Sequence, residues 1–120
     1  ELAAVSSHFA DKSGCIWVAR DGAEIAGCFA IAPTNDPAVW EITKVYAAVH
    51  ARGTGLGYRL YEIARSFAED RGAKRLELWT DTRFHAGHRF YERQGFSRGS
   101  ETRFLHDASE TEEYFYALDL

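Results

Sequence analysis

The chain has 120 residues, 46% hydrophobic and 27% charged, with 14 Lys and Arg against 18 Asp and Glu for a formal net charge of -4. That length carries one domain with a real core but not two, and the acidic balance supplies no global basic field of the kind nucleic-acid binding uses. No apolar run approaches the ~20 residues of a membrane span, and no secretory signal is legible, so neither nucleic acid nor membrane is an expected partner and a cytoplasmic location is expected.

In chain order, residues 1–10 read as the end of a helix, with Leu2, Val5 and Phe9 at helical intervals. Asp11-Lys12-Ser13-Gly14 is a turn. Residues 15–20 and 24–32 alternate like strands, and Asp21-Gly22 between them is a hairpin signal. Cys15 and Cys28 sit in these apolar segments and read as buried free thiols. Residues 33–37, bounded by two prolines, form a loop. Residues 40–49, rich in β-branched and aromatic side chains, form a third strand. After the stretch Arg52-Gly53-Thr54-Gly55-Leu56-Gly57, residues 58–71 carry Leu60, Ile63, Ala64 and Phe67 at helical spacing, and Gly72 suits the helix C-cap. Residues 75–80 are a strand and 84–94 a helix closed by Gly95-Phe96. Residues 97–105 and 113–120 make a closing antiparallel pair around a polar stretch, 106–111.

The glycine stretch carries the chemistry. A strand that turns through glycines into a helix leaves the first helical amides unpaired, and the helix dipole adds partial positive charge at the same end. Such a turn is suited to a phosphate or pyrophosphate, and glycine lets a bulky anion approach the backbone closely. Two common nucleotide fingerprints do not fit. Gly57 is followed by Tyr58-Arg59 where a Walker loop needs Lys and Ser or Thr, and a dinucleotide loop read from Gly55 needs a glycine where Leu60 stands. On these residues alone, a phosphate site and a plain tight connection stand level.

The order strand, Arg-x-x-Gly-x-Gly, helix resembles the acyl-coenzyme A loop of the GNAT acetyltransferase superfamily, with Arg52, Gly55 and Gly57 at its fixed positions. The strand at 75–80 and the helix ending Tyr91-Glu92-Arg93-Gln94-Gly95-Phe96 resemble that family's second signature. Together they cover residues 40–96. The resemblance implies an α/β domain of the α+β type: a mixed, mostly antiparallel sheet flanked by helices. It implies a single domain over 1–120 that starts late, the usual first strand and helix being missing or shortened. It also implies acetyl-coenzyme A as acyl donor, no metal, and transfer to a primary amine by direct attack in a ternary complex.

By the same resemblance, the backbone of Val45, Tyr46 and Ala47 pairs with the pantetheine arm, and its N–H groups support the oxyanion. The pyrophosphate contacts fall on Arg52, Gly53, Thr54, Gly55, Leu56, Gly57 and Tyr58, near a basic patch of Arg52, Arg59 and Arg65. Phe84 and Tyr91 complete the cofactor-binding set. Tyr91 is the expected general acid toward the leaving thiolate, a phenol of pKa ~10 facing a thiol of pKa ~8.5; the alternative is a packing tyrosine. Glu41 is the candidate base, or else a strand carboxylate paired with Lys44. Asp81 either orients the amine or caps the following helix.

Some positions depart from the family pattern: Phe84 stands where Asn is frequent, Gly87 where Ala is, and Val49 where Pro is. His85 and His88 stand at i and i+3, but no Cys or third His lies nearby, so they are expected to border cofactor or solvent without a metal. The family's closing strands allow a homodimer through Tyr114, Phe115 and Tyr116. No residue names the acceptor, be it small molecule, peptide or protein. A competing expectation is a non-catalytic acyl-coenzyme A binding or sensing module of a larger regulatory chain.

Overall fold

A computed structural model describes residues 4–9 and 13–120. Leu2 and the Asp11-Lys12 half of the expected first turn lie outside them. In chain order the elements are β1 (Ala4–Phe9), β2 (Cys15–Asp21), β3 (Glu24–Pro33), β4 (Val39–Ala47), a 3-10 turn (Val49–Ala51), α1 (Leu56–Asp70), β5 (Arg75–Asp81), α2 (His85–Arg93), β6 (Ser97–Phe104) and β7 (Glu112–Asp119). Among the described residues the strands form one mixed sheet ordered β1-β2-β3-β4-β5-β7-β6. Its β4–β5 pair is parallel and its other pairs are antiparallel. The α+β expectation holds.

The expected opening helix is a strand. Ala4–Phe9 pairs antiparallel with β2 from Ala4↔Arg20 to Phe9↔Cys15. Val5 and Phe9 are four residues apart, which is one helical turn but also two strand periods, so the spacing cannot separate the two states. The third strand also stops earlier than its β-branched run suggests. It ends at Ala47, and Val49 belongs to the 3-10 turn.

Alternation along the strands sends Trp17, Phe29, Ile31, Trp40, Ile42, Leu76, Leu78 and Tyr116 into one buried layer with Leu60, Tyr61, Ala64 and Ala68 of α1. Trp17 and Trp40 meet Phe67 edge-on, at ring-centroid distances of 5.1 and 6.0 Å. Tyr61 joins α1 to the rest, touching Phe29 of β3, Phe90 of α2 and Phe96 beyond it. Both helices therefore pack on the same face of the sheet. Gly27 permits close approach there, since a Cβ at that position would meet Tyr46 O at 2.9 Å and Leu56 Cδ2 at 3.2 Å. Cys15 is buried and Cys28 half-buried, and both are free thiols. Tyr116 is 0% exposed inside its own chain, so of the three closing-strand aromatics expected at a dimer surface it is withdrawn into the core.

Candidate active site

A register irregularity opens the sheet in its middle. Ala30 pairs with Lys44, but the next residue, Ile31, pairs with Ile42. Thr43 is left as an extra residue on β4, and such a bulge bends its strand. Parallel pairing with β5 runs from Val39↔Arg75 to Ile42↔Leu78 and ends there, one residue before the bulge. Beyond it β4 stays with β3 as far as Gly27↔Ala47, while β5 stays with β7 as far as Asp81↔Glu113. Among the described residues, the Val45–Ala47 backbone thus has an edge with no strand beside it. A cleft of about 470 Å3 borders this wedge, walled by β3, β4, the glycine loop and α2.

The loop above the wedge carries a set of open donors. Gly53 and Gly55 have φ of +77° and +85°, values side-chain-bearing residues rarely adopt. Gly55 is the N-cap of α1, without a side-chain cap and with no acidic residue in the first turn. Arg59 N–H donates to the Gly55 carbonyl at 3.0 Å, and Thr54 N–H donates to Ala51. The amides of Gly53, Gly55, Leu56, Gly57 and Tyr58 have no backbone partner among the described residues. A helix start normally satisfies such donors with Ser, Thr, Asp or Asn, and this one has no such side chain.

Of the expected cofactor residues, Val45, Ala47, Arg52, Gly53, Gly55, Gly57, Tyr58, Phe84 and Tyr91 line the cleft. Tyr46, Thr54 and Leu56 do not contribute side chains. Tyr46 alternates to the other sheet face beside Cys28, the Thr54 hydroxyl donates to the Ala51 carbonyl, and Leu56 is buried in the core. The basic patch is partly spoken for. Arg52 Nε donates to the Ala47 carbonyl at 3.3 Å, and Arg65 reaches Glu69 at 3.6 Å and the Tyr61 hydroxyl.

Tyr91 is 4% exposed, among the rings of Phe90, Phe96 and Tyr116. Burial alone pushes its phenol up to about 12. Glu41 is not in the cleft. It alternates with the core residues Trp40 and Ile42, so it faces away from the helices, beside Glu77 in register. No ion pair among the described residues includes it, and Lys44 is not its partner. Tyr91 and Glu41 therefore stand on opposite sides of the opening in the sheet.

Asp81 is committed elsewhere. Its carboxylate accepts from Arg83 Nε at 2.9 Å, Arg83 Nη2 at 2.7 Å and the Arg83 amide at 2.8 Å. These bonds, the guanidinium's foremost, lower its pKa to about 2, too weak for a base at neutral pH. His88 also differs from expectation. It is buried, stacks on Tyr116 with an interplanar angle of 28°, and its Nε2 hydrogen-bonds the Asp81 carbonyl at 2.9 Å. It ties α2 to the end of β5.

Sequence reasoning missed Phe29, Ala51, Ala86, Gly87, Phe90, Arg93 and Gln94, which also line the cleft. Three were within reach: steps of three and four along α2 lead from Tyr91 to Gly87 and Gln94, and from either of these to Phe90. Phe29 was not, because it depends on the β3–β4 register opposite Val45.

The family described as Acetyltransferase (GNAT) matches residues 2–96. N-acetyltransferase family 8 member 3 of Rattus norvegicus is 27% identical over 101 residues, covering 81% of this chain and 42% of its own length. The chain spans less than half of that relative and of a second rat member, at 45%. Among solved structures, nourseothricin acetyltransferase superposes with a TM-score of 0.81 at 23% identity, covering 91% of this chain and 66% of the other. A GNAT-family acetyltransferase from Elizabethkingia anophelis with acetyl-CoA bound gives 0.74 at 21% identity, covering 90% and 77%. At these identities the structural likeness is one of fold.

Proposed function

The chain belongs to the GNAT acetyltransferase family, and from that premise we propose that it transfers the acetyl group of acetyl-coenzyme A to a primary amine by direct attack in a ternary complex. The observation that carries this reading is the coincidence of an unpaired strand edge at Val45–Ala47 with the open amides of Gly53, Gly55, Gly57 and Tyr58 at one cleft. The amides take the diphosphate, and the strand edge takes the pantetheine arm as an added strand. The thioester then lies in the opening between β4 and β5. Holding it beside the amine supplies much of the rate enhancement by itself.

The amine nitrogen attacks the carbonyl carbon, the C–N bond forms, and the oxyanion is held by β4 amides. Glu41, on the far side of the opening, takes the nitrogen's proton through water. The C–S bond then breaks and its electron pair leaves with sulfur. Tyr91, whose phenol is pushed up to about 12, is protonated at neutral pH and donates a hydrogen bond to that sulfur. A thiol of pKa about 8.5 is mostly protonated at equilibrium at neutral pH, so the departed thiolate gains its final proton from the bulk while Tyr91 keeps its own. The products are an amide and the free thiol, and no metal enters.

Cys15 and Cys28, both free, suit a reducing compartment, and the cytoplasm is the location proposed. A homodimer would form through the exposed β6 edge rather than through Tyr116. The test is release of coenzyme A thiol across a panel of primary amines. Turnover above the uncatalysed rate supports transfer. Binding of acetyl-coenzyme A with no thiol release for any amine supports a sensing module instead.

A further inference from the structure

The first turn of α2 contains a close fit that the mechanism above does not use. A Cβ built on Gly87 would lie 2.4 Å from both Cδ2 and Cε2 of Phe84 and 3.2 Å from its Cγ. The Phe84 ring therefore occupies the volume a side chain at 87 would fill. Glycine is the least favourable residue after proline in a helix interior, so its presence in α2 needs a reason, and the ring supplies one. The Phe84 backbone is held from both sides: its amide donates to the Asp81 carbonyl at 3.0 Å, and its carbonyl accepts from the His88 amide at 3.1 Å. With the backbone fixed, the ring's direction rests on what it can lie against. Phe84 is the N-cap of α2, and its side chain offers no polar atom to the helix. It is 44% exposed and, with Gly87, lines the same cleft as Val45 and Tyr91.

We propose that Phe84 and Gly87 are one coupled device: Phe84 is an aromatic wall that packs on the methylene and methyl groups of the acyl carrier's uncharged arm, and Gly87 is the residue that positions it. The departures from the family pattern at 84 and 87 are then a single exchange, an apolar contact in place of a polar one. A ring already seated loses little freedom when the arm arrives. This rests on the cleft being the acyl-coenzyme A site.

The test is calorimetric titration with coenzyme A and with adenosine 3′,5′-bisphosphate, the carrier's nucleotide end without its arm, on wild type, Phe84→Ala, Gly87→Ala and the double variant. Phe84→Ala weakens coenzyme A by about 10-fold, the size of losing one half-exposed ring's apolar contact, and leaves the bisphosphate within about 2-fold. Gly87→Ala displaces the ring and weakens coenzyme A similarly, yet costs nothing further once Phe84 is alanine. Melting temperature supplies a second readout. Gly87→Ala raises it in the Phe84→Ala background, where alanine is the better helix former, and fails to raise it in wild type. Gly87→Ala that stabilises wild type and leaves coenzyme A affinity intact overturns the coupling. Equal losses for bisphosphate and coenzyme A overturn the arm as the contact. Wild type that binds no coenzyme A overturns the proposed function itself, and this pair's role with it.

Discussion

Helices α1 and α2 begin at neighbouring corners of one cleft, and both begin without a side-chain cap. At α1 the N-cap is Gly55 with φ +85°, and around it a Cβ would meet nothing within 4 Å. At α2 the N-cap is Phe84, and its ring covers the helix backbone at Gly87. One helix start presents bare donors and a positive dipole end, while the other presents an aromatic face. Coenzyme A has a matching division, a doubly charged diphosphate followed by an uncharged arm with apolar methylene and methyl groups between its amides. A missing cap is thus open to two uses, and the residue at the N-cap decides which.

The largest expected effect breaks the α1 half. Gly57 has only Phe90 Cε1 near a hypothetical Cβ, at 3.9 Å. Gly57→Glu should fold, and should gain stability from an acidic group in the first turn, while that carboxylate competes for the amides. Coenzyme A affinity is expected to fall roughly 100-fold while the melting temperature holds or rises. A variant that melts lower and binds as before would show that the amides are not the anion site.

Tyr91→Phe acts on turnover instead. It should lower kcat about 100-fold with the Kd for acetyl-coenzyme A nearly unchanged, as expected for a donor used only as sulfur departs. An unaltered kcat removes the role. Glu41→Gln should reduce kcat about 10-fold near neutral pH, with recovery at high pH where the amine is already deprotonated. A pH profile parallel to wild type assigns the base elsewhere.

The smallest effect is read by absorbance. Tyr91 and Tyr116 are both pushed up to about 12, by burial first, with the Tyr116 hydroxyl also donating to Glu92 at 2.8 Å. Their folded pKa lies above the unfolded value of about 10. Their contribution to stability is therefore complete below pH ~10 and lost as pH rises toward ~12. Phenolate absorbance from these two should appear together with alkaline unfolding, and Tyr91→Phe should remove one such step. Early, reversible ionisation of all the tyrosines in folded protein would contradict their burial.

The residues that announce themselves do so through backbone requirements. Gly53 and Gly55 mark a turn whose positive φ side-chain-bearing residues rarely adopt, and the strand–glycine–helix order follows from composition on either side. What stayed hidden depends on register. Thr43 becomes a bulge only because Ile31 meets Ile42, and no local propensity reports that. The strand at Ala4–Phe9 was illegible because its apolar spacing suits either period. Asp81 looked available to an amine until Arg83, two residues on, was seen to hold both its oxygens. Gly87 was readable as a departure, but its purpose required the Phe84 ring.

The most direct measurement is a 15N–1H correlation spectrum of the protein titrated with coenzyme A. The backbone amides of Gly53, Gly55, Leu56, Gly57 and Tyr58 should show the largest downfield proton shifts, as each donates to a phosphate oxygen. Saturable coenzyme A binding that leaves those amides in place, with shifts confined to other parts of the chain, would contradict the phosphate-binding role of the α1 N-terminus.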